Sequence, residues 1–193
     1  MTIDIFPLTP DRWNDMETLF GAHGGYADCW CMFWRLKRSE FKQLRGEGTK
    51  AALKSLTEQN EVPGLLAYVE GKPAGWCSVG PREGYRALEN SRTLKRVDAV
   101  PVWSIVCFFV DKPFRKQGLM RALIEGAVDY ARANGAQIVE GYPLDMQHPK
   151  LAGQKLSGCS SYMGIDAAFR EVGFVEAGRG SETQLIMRYT VQG

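Results

Sequence analysis

The residues best suited to chemistry lie at 106–128, VCFFVDKPFRKQGLMRALIEGAV. An apolar run ends at Val110 and the chain turns through Asp111 to Phe114. Arg115, Lys116, Gln117 and Gly118 then lead into an amphipathic stretch. The first turn of a helix leaves several N–H groups unpaired, and the helix dipole places partial positive charge there. Arg115 and Lys116 add full charges, and Gly118 lets the backbone approach a bulky anion closely. Together they suit a phosphate or pyrophosphate. The same residues would also suit a solvated basic loop with a turn glycine. The nucleotide motifs GxxxxGK[ST] and GxGxxG are absent, which disfavours a nucleoside triphosphatase or a dinucleotide enzyme.

Two other groups invite a chemical reading. Cys29 and Cys31 follow His23, but Cys-x-Cys without a second Cys/His pair does not assemble four zinc ligands, so no metal is expected. Cys107 sits inside an apolar run, where a thiol behaves as a small hydrophobe. The aromatics Tyr26, Trp30, Phe33 and Trp34, with Trp76 and Tyr85 further on, suit either a core or the walls of a pocket for a flat or cationic amine.

The elements that must position these residues alternate. Ile3, Ile5 and Leu8 suggest an opening strand, and Thr9 with Pro10 the start of a helix carrying Trp13, Met16 and Phe20. Ser39 and Thr49 read as caps of further helical pieces. LLAYVE, the turn Gly71-Lys72-Pro73 and AGWCSVG read as a hairpin. Pro81 to Arg96 reads as a loop or ragged strand, and Val102 to Val110 as a central strand covered on both faces. Leu119 to Arg132 is the clearest helix: Leu119, Ala122, Leu123, Gly126, Ala127 and Tyr130 face inward, and Arg121, Glu125, Asp129 and Arg132 outward. Gln137 to Tyr142 follows as a strand parallel to the central one. A short helix from Ile165 to Val172 stops at Gly173. Phe174 to Ala177 and a half-exposed strand, Gln184 to Val191, complete a mixed α/β chain.

With 193 residues, 45% hydrophobic content and 24% charged, the chain has the composition of a folded globule. A net charge of +2 disfavours a nucleic-acid partner, and no apolar run approaches membrane-span length. The N-terminus lacks a basic secretory n-region. A cytoplasmic protein whose five cysteines are reduced is therefore the expectation.

Arg115-Lys116-Gln117-Gly118-Leu119-Met120 resembles the [Q/R]-x-x-G-x-[G/A] motif of the GNAT superfamily of acetyl-CoA-dependent N-acyltransferases, with Met120 in place of a small residue. AAFREVGFVEAG, Ala167 to Gly178, is similar to the family's later motif, and the resemblance spans about Leu65 to Tyr189. It implies one domain over 1–193. The sheet would be mixed and mostly antiparallel, flanked by helices, with a splayed parallel strand pair.

The resemblance also implies a site. Acetyl-CoA enters as co-substrate: residues Arg115 to Met120 hold its pyrophosphate, and backbone groups of Phe109 and Val110 bond the pantetheine in the gap between the splayed strands. Direct attack by a primary amine in a ternary complex follows. Phe169 matches the position where many relatives carry a tyrosine acid. Tyr162 is therefore the candidate acid, with Glu140 first and Asp145 second as candidate base. Tyr26, Trp30, Trp34 and Trp76 are candidates for the acceptor pocket. The acceptor is expected to be a small-molecule amine, with a homodimer, no membrane and no nucleic acid. The alternatives are a protein or peptide amine, an acyl-CoA sensor that has lost chemistry, or an interaction domain using the aromatics of 26–34.

Overall fold

The structure is a computed structural model describing residues 2–155 and 160–191; Cys159 lies outside them. One seven-stranded sheet gathers the strands in the order β1-β2-β3-β4-β5-β7-β6. They are β1 (Ile3–Pro7), β2 (Leu65–Val69), β3 (Lys72–Pro81), β4 (Trp103–Val110), β5 (Ile138–Gly141), β6 (Val175–Ser181) and β7 (Gln184–Thr190). Every neighbouring pair is antiparallel except β4–β5. The mixed sheet with one parallel pair is as the sequence led one to expect.

The parallel register runs only from Trp103↔Val139 to Ile105↔Gly141, while β4 continues to Val110. β5 stops because Tyr142 is followed by Pro143, which has no N–H to offer a ladder. Above Gly141 lies the Phe169 ring: a Cβ there would meet it at 2.2 Å, so only glycine fits. The second half of β4 therefore has an edge open to whatever fills the gap.

Helix α1 (Trp13–Phe20), α2 (Arg38–Leu44) and α3 (Glu47–Glu58) precede the hairpin, α4 (Arg86–Glu89) follows it, α5 (Leu119–Ala133) crosses between β4 and β5, and α6 (Asp166–Val172) precedes β6. α5 packs on one face through Leu119, Leu123, Ile124, Ala127, Val128 and Ala131. The inward stripe thus runs one position towards Ile124 and Val128 from the expected one, leaving Ala122 and Tyr130 half-buried. α1 covers the opposite face with Trp13, Met16 and Phe20 against Trp76 and Leu66.

Several local expectations are corrected. Pro10–Arg12 is a 3₁₀ turn, and the Thr9 hydroxyl accepts from Arg12 instead of capping it. Ser39 lies within α2. Thr49 is the third residue of α3, where its hydroxyl accepts from the Gly46 amide and donates to the Asp28 carbonyl. Of the expected Pro81 to Arg96 segment, Pro81 ends β3 and the rest carries helical turns, not a further strand, with Arg82 drawn into a buried ion-pair network. In β7 Ile186 is buried along with Leu185 and Met187, since the 82–94 segment covers its second face.

Candidate active site

A cleft of about 1240 Å³ opens along the free edge of β4. Its floor is Phe108, Phe109 and Val110. The start of α5 and the outer face of α6 form two walls, and the loop between α1 and α2 forms a third.

At the α5 end, the N–H groups of six consecutive residues, Lys116 to Arg121, find no acceptor among the described residues. Lys116 (φ 62°) and Gly118 (φ 81°) both adopt left-handed backbone, which curls these amides into a concave nest. Such conformations cost a non-glycine residue about 1 kcal/mol or more, and they concentrate at functional sites. Arg115 donates to the Val110 carbonyl at 2.9 Å, and Lys116 has no carboxylate partner among the described residues. Arg115, Lys116, Gly118, Leu119 and Met120 line the cleft; the Gln117 side chain turns away to the Pro113 carbonyl at 2.8 Å. Met120 is half-buried, with its side chain packed against the core cluster, and its amide has no acceptor among the described residues.

Strand alternation sorts the β4 backbone. The Asp111 amide donates to Ala74 of β3 and Trp76 faces Phe109, so Phe109 directs its main-chain groups into the β3 ladder. The groups directed into the gap are those of Phe108 and Val110. Phe109 contributes its ring to the cleft instead of its backbone, a correction to the expected pairing. The Phe108 amide is itself taken, donating to the Tyr162 carbonyl at 2.6 Å, which leaves the Val110 amide on the open edge.

That bond fixes Tyr162 beside the gap. Burial and the neighbouring Cys107 thiol push its phenol up to about 12, only partly offset by the Trp34 indole N–H and by Arg38. The Trp34 N–H lies beside the phenol without hydrogen-bond geometry and has no partner of its own among the described residues. Phe169, by contrast, is fully buried, its ring centroid 5.0 Å from that of Phe174 and 6.0 Å from that of Phe108. α6 presents Ala167, Ala168 and Glu171 to the cleft, so a phenol at 169 would point into the core.

Glu140 is not on the cleft wall. It is fully buried and accepts from Arg82 (2.9 Å), Tyr142 (2.7 Å) and Arg188 (2.7 Å). Ser104, its register partner on β4, bonds Tyr142 at 2.8 Å, and Arg82 reaches on to Glu89 and the Leu94 carbonyl. Two guanidinium groups and a phenol thus occupy its oxygens. Its place is at the paired end of β4 and β5, where it clamps the two strands before they diverge. Asp145 likewise pairs with Arg179 at 3.0 Å, off the cleft.

The aromatics divide. Tyr26 and Trp34 line the cleft, with Phe33 and Phe41, whereas Trp30 and Trp76 are core. Trp30 stacks on Trp13 at 6.0 Å, and Trp76 donates its N–H to the Cys31 sulfur at 3.1 Å. The loop carrying them is strained: Ala27, Asp28, Trp30 and Cys31 all have positive φ. Arg45 on the Ala27 carbonyl (2.7 Å) and Thr49 on the Asp28 carbonyl (2.8 Å) hold it. Cys29, Cys31 and Cys107 meet at this end; burial, then the adjacent Cys31, pushes the Cys29 thiol up to about 11. No group of three or more metal-ligating side chains occurs among the described residues. Nor is any helix among them long and apolar enough to cross a membrane.

A family model described as the acetyltransferase (GNAT) family matches residues 30–142. The chain belongs to the GNAT acetyltransferase family. No curated protein matches its sequence significantly. Among solved structures its fold is similar to that of PaiA N-acetyltransferase from Thermoplasma acidophilum in complex with coenzyme A, at 12% identity and a TM-score of 0.54, covering 99% of this chain and 100% of that one. It is also similar to a ribosomal-protein-alanine N-acetyltransferase from Brucella melitensis (18% identity, TM-score 0.52, 97% and 99% covered). A third is a GNAT-family acetyltransferase from Streptococcus agalactiae (13%, 0.55, 99% and 96%). This GNAT chain thus shares their fold, and its open β4 edge and α5 amides lie within or beside the residues that the family model matches.

Proposed function

We propose that the chain transfers an acetyl group from acetyl-CoA to the primary amine of a small molecule by direct attack within a ternary complex. The observation that carries this reading is the nest of six unpartnered amides, Lys116 to Arg121, ending the free edge of β4. A diphosphate accepts from such amides, with Lys116 and Arg115 beside it. The Val110 amide and the Phe108 carbonyl, both directed into the gap, are placed to bond an extended amide-bearing arm. The complex of a fold relative with coenzyme A supports the same occupant.

In that arrangement the chain's residues align and do not ionise. The β4 edge fixes the thioester, and the loop of 26–34 with Tyr162 encloses the amine, so proximity supplies much of the acceleration. A thiol leaves as thiolate with an ordinary pKa of about 8.5. A phenol at about 12 does not surrender its proton to such a thiolate, so Tyr162 acts by hydrogen-bonding the developing charge. The departing proton of the amine passes to solvent, since neither Glu140 nor Asp145 reaches the cleft.

Titration calorimetry with CoA on the full chain, paired with mass detection of acetylated amine products, tests the reading. Binding weakened about 10-fold or more by Lys116→Glu, with acetylated product formed by the wild type, supports it. Absence of CoA binding to the wild type overturns it.

A further inference from the structure

The acceptor end of the cleft has an unusual charge inventory for a site that takes an amine. The acidic residues lining the whole cleft are Asp111 and Glu171. Asp111 lies in the β4–α5 turn, and Glu171 on α6 faces Arg121 at the start of α5, so both belong to the anion-binding end. Around Phe33, Trp34, Phe41 and Tyr162 the described residues supply no carboxylate to neutralise an ammonium or to take its proton. The thiols there are held above their ordinary value, Cys29 by burial and then Cys31, Cys107 by its contact with Cys31 and then burial. What this end does supply is cationic. Arg45 lines it, and the Arg38 guanidinium lies 3.6 Å over the Phe33 ring and 5.4 Å from the Trp34 ring. Neither has a carboxylate partner among the described residues. A second groove of about 490 Å³ starts at the same Arg38 and continues past Lys37, Arg86 and Arg92; of these Arg86 pairs with Glu40. The two spaces share a wall, because the Ala87 amide in the groove donates to the Trp34 carbonyl at 2.9 Å. Trp34 itself is only 8% exposed, and its N–H has no acceptor among the described residues. A buried donor of that kind costs stability until something accepts from it.

From these observations we infer that the acceptor is a flat aromatic amine bearing an anionic oxygen substituent, of the aminobenzoate type. The inference rests on the acetyl-transfer reading above and narrows its substrate. An aliphatic amine with an ordinary pKa near that of lysine is unprotonated in only about one molecule in 2,500 at pH 7, and this end offers no base to change that. An aromatic amine carries a free lone pair at neutral pH and needs none. Its nitrogen attacks the acetyl carbonyl, the C–S bond breaks, the thiolate leaves, and one N–H proton is released to yield amide and free thiol. The ring lies against the cleft wall that Phe33, Phe41 and Tyr162 form, and the oxygens accept from Trp34 and pair with Arg38 or Arg45. A polyamine would meet cations and no counter-charge.

The experiment compares 4-aminobenzoate, aniline, benzylamine and spermidine as acceptors with the full chain, measuring acetylated product, with CoA binding measured separately. The expected order places kcat/KM for 4-aminobenzoate about 10-fold or more above aniline, and both above the two aliphatic amines. Trp34→Phe, which keeps an aromatic side chain and removes the donor, raises KM for 4-aminobenzoate about 10-fold more than it raises KM for aniline, and CoA affinity stays within about 2-fold. Wild-type kcat/KM for 4-aminobenzoate stays flat from pH 7 to 9. Preference for spermidine or benzylamine, or no product from any of the four while CoA binds, overturns the substrate class and leaves the transferase reading standing. Failure of CoA to bind sinks both.

Discussion

The Phe108 amide donates to the Tyr162 carbonyl at 2.6 Å across the gap where β4 has lost its parallel neighbour. One hydrogen bond thus couples the open edge of the central strand to the residue whose phenol lines the cleft beside the buried Trp34 N–H. The tyrosine is held by backbone, so replacing its side chain leaves the edge itself intact.

Tyr162→Phe is therefore expected to lower kcat about 10-fold or more while CoA affinity, measured by calorimetry, stays within about 2-fold. Because the phenol lies at about 12, no alkaline fall in kcat from this group is expected below pH 10. Phe169→Tyr, placing a hydroxyl against Gly141 and Gly164, should not restore activity and should cost about 1–3 kcal/mol in urea unfolding. Full activity in Tyr162→Phe would remove the phenol from the chemistry.

Gly118 has open space where a Cβ would go, so its substitution is felt through backbone alone. Gly118→Ala should cost about 1–2 kcal/mol in stability and flatten the amide nest. A CoA dissociation constant raised about 10-fold is the expected accompaniment. Unchanged binding would show that the nest does not hold the ligand.

Glu140→Ala leaves Arg82 and Arg188 facing one another in the interior, with the shared anion gone. The expected loss is about 3–5 kcal/mol of unfolding free energy. A general base behaves oppositely, losing turnover at constant stability. Parallel measurement of the urea midpoint and of kcat in the folded fraction distinguishes the two. A stable, inactive variant would return Glu140 to catalysis.

Acid should loosen the 82–98 segment first. Hydrogen bonds from Arg96 hold Glu83 below its ordinary value, and one from Arg188 does the same for Asp98. For Glu89, burial pushes upward, but Arg96 and Arg82 outweigh it and leave the pKa lowered. Carboxyls depressed in the folded state contribute stability above their unfolded values of about 4, and that contribution disappears as pH falls through the folded values. A urea midpoint level from pH 7 to 5 and falling below pH 4 is expected, with amide exchange rising earliest at 82–98.

The sequence alone determined the elements whose signals are local. A uniformly apolar 102–110 had to be an interior strand, and the 3.6-residue period of 119–132 a helix laid on it, with RKQG at its entrance. Those signals depend on neighbours a few positions apart, and the order strand, turn, helix, strand follows from them. The tertiary structure decided every question of partnership. Glu140 and Arg82 are 58 residues apart, and nothing in their spacing shows that they neutralise one another. Trp30 and Trp34 are four residues apart and equally aromatic, yet positive φ at Trp30 turns it onto Trp13 in the core while Trp34 faces the cleft. The family resemblance led one to expect an acid at position 169, but only packing against Gly141 reveals that Phe169 faces inward. Periodicity records which residues prefer burial; which of two buried sides each one meets is settled by long-range packing.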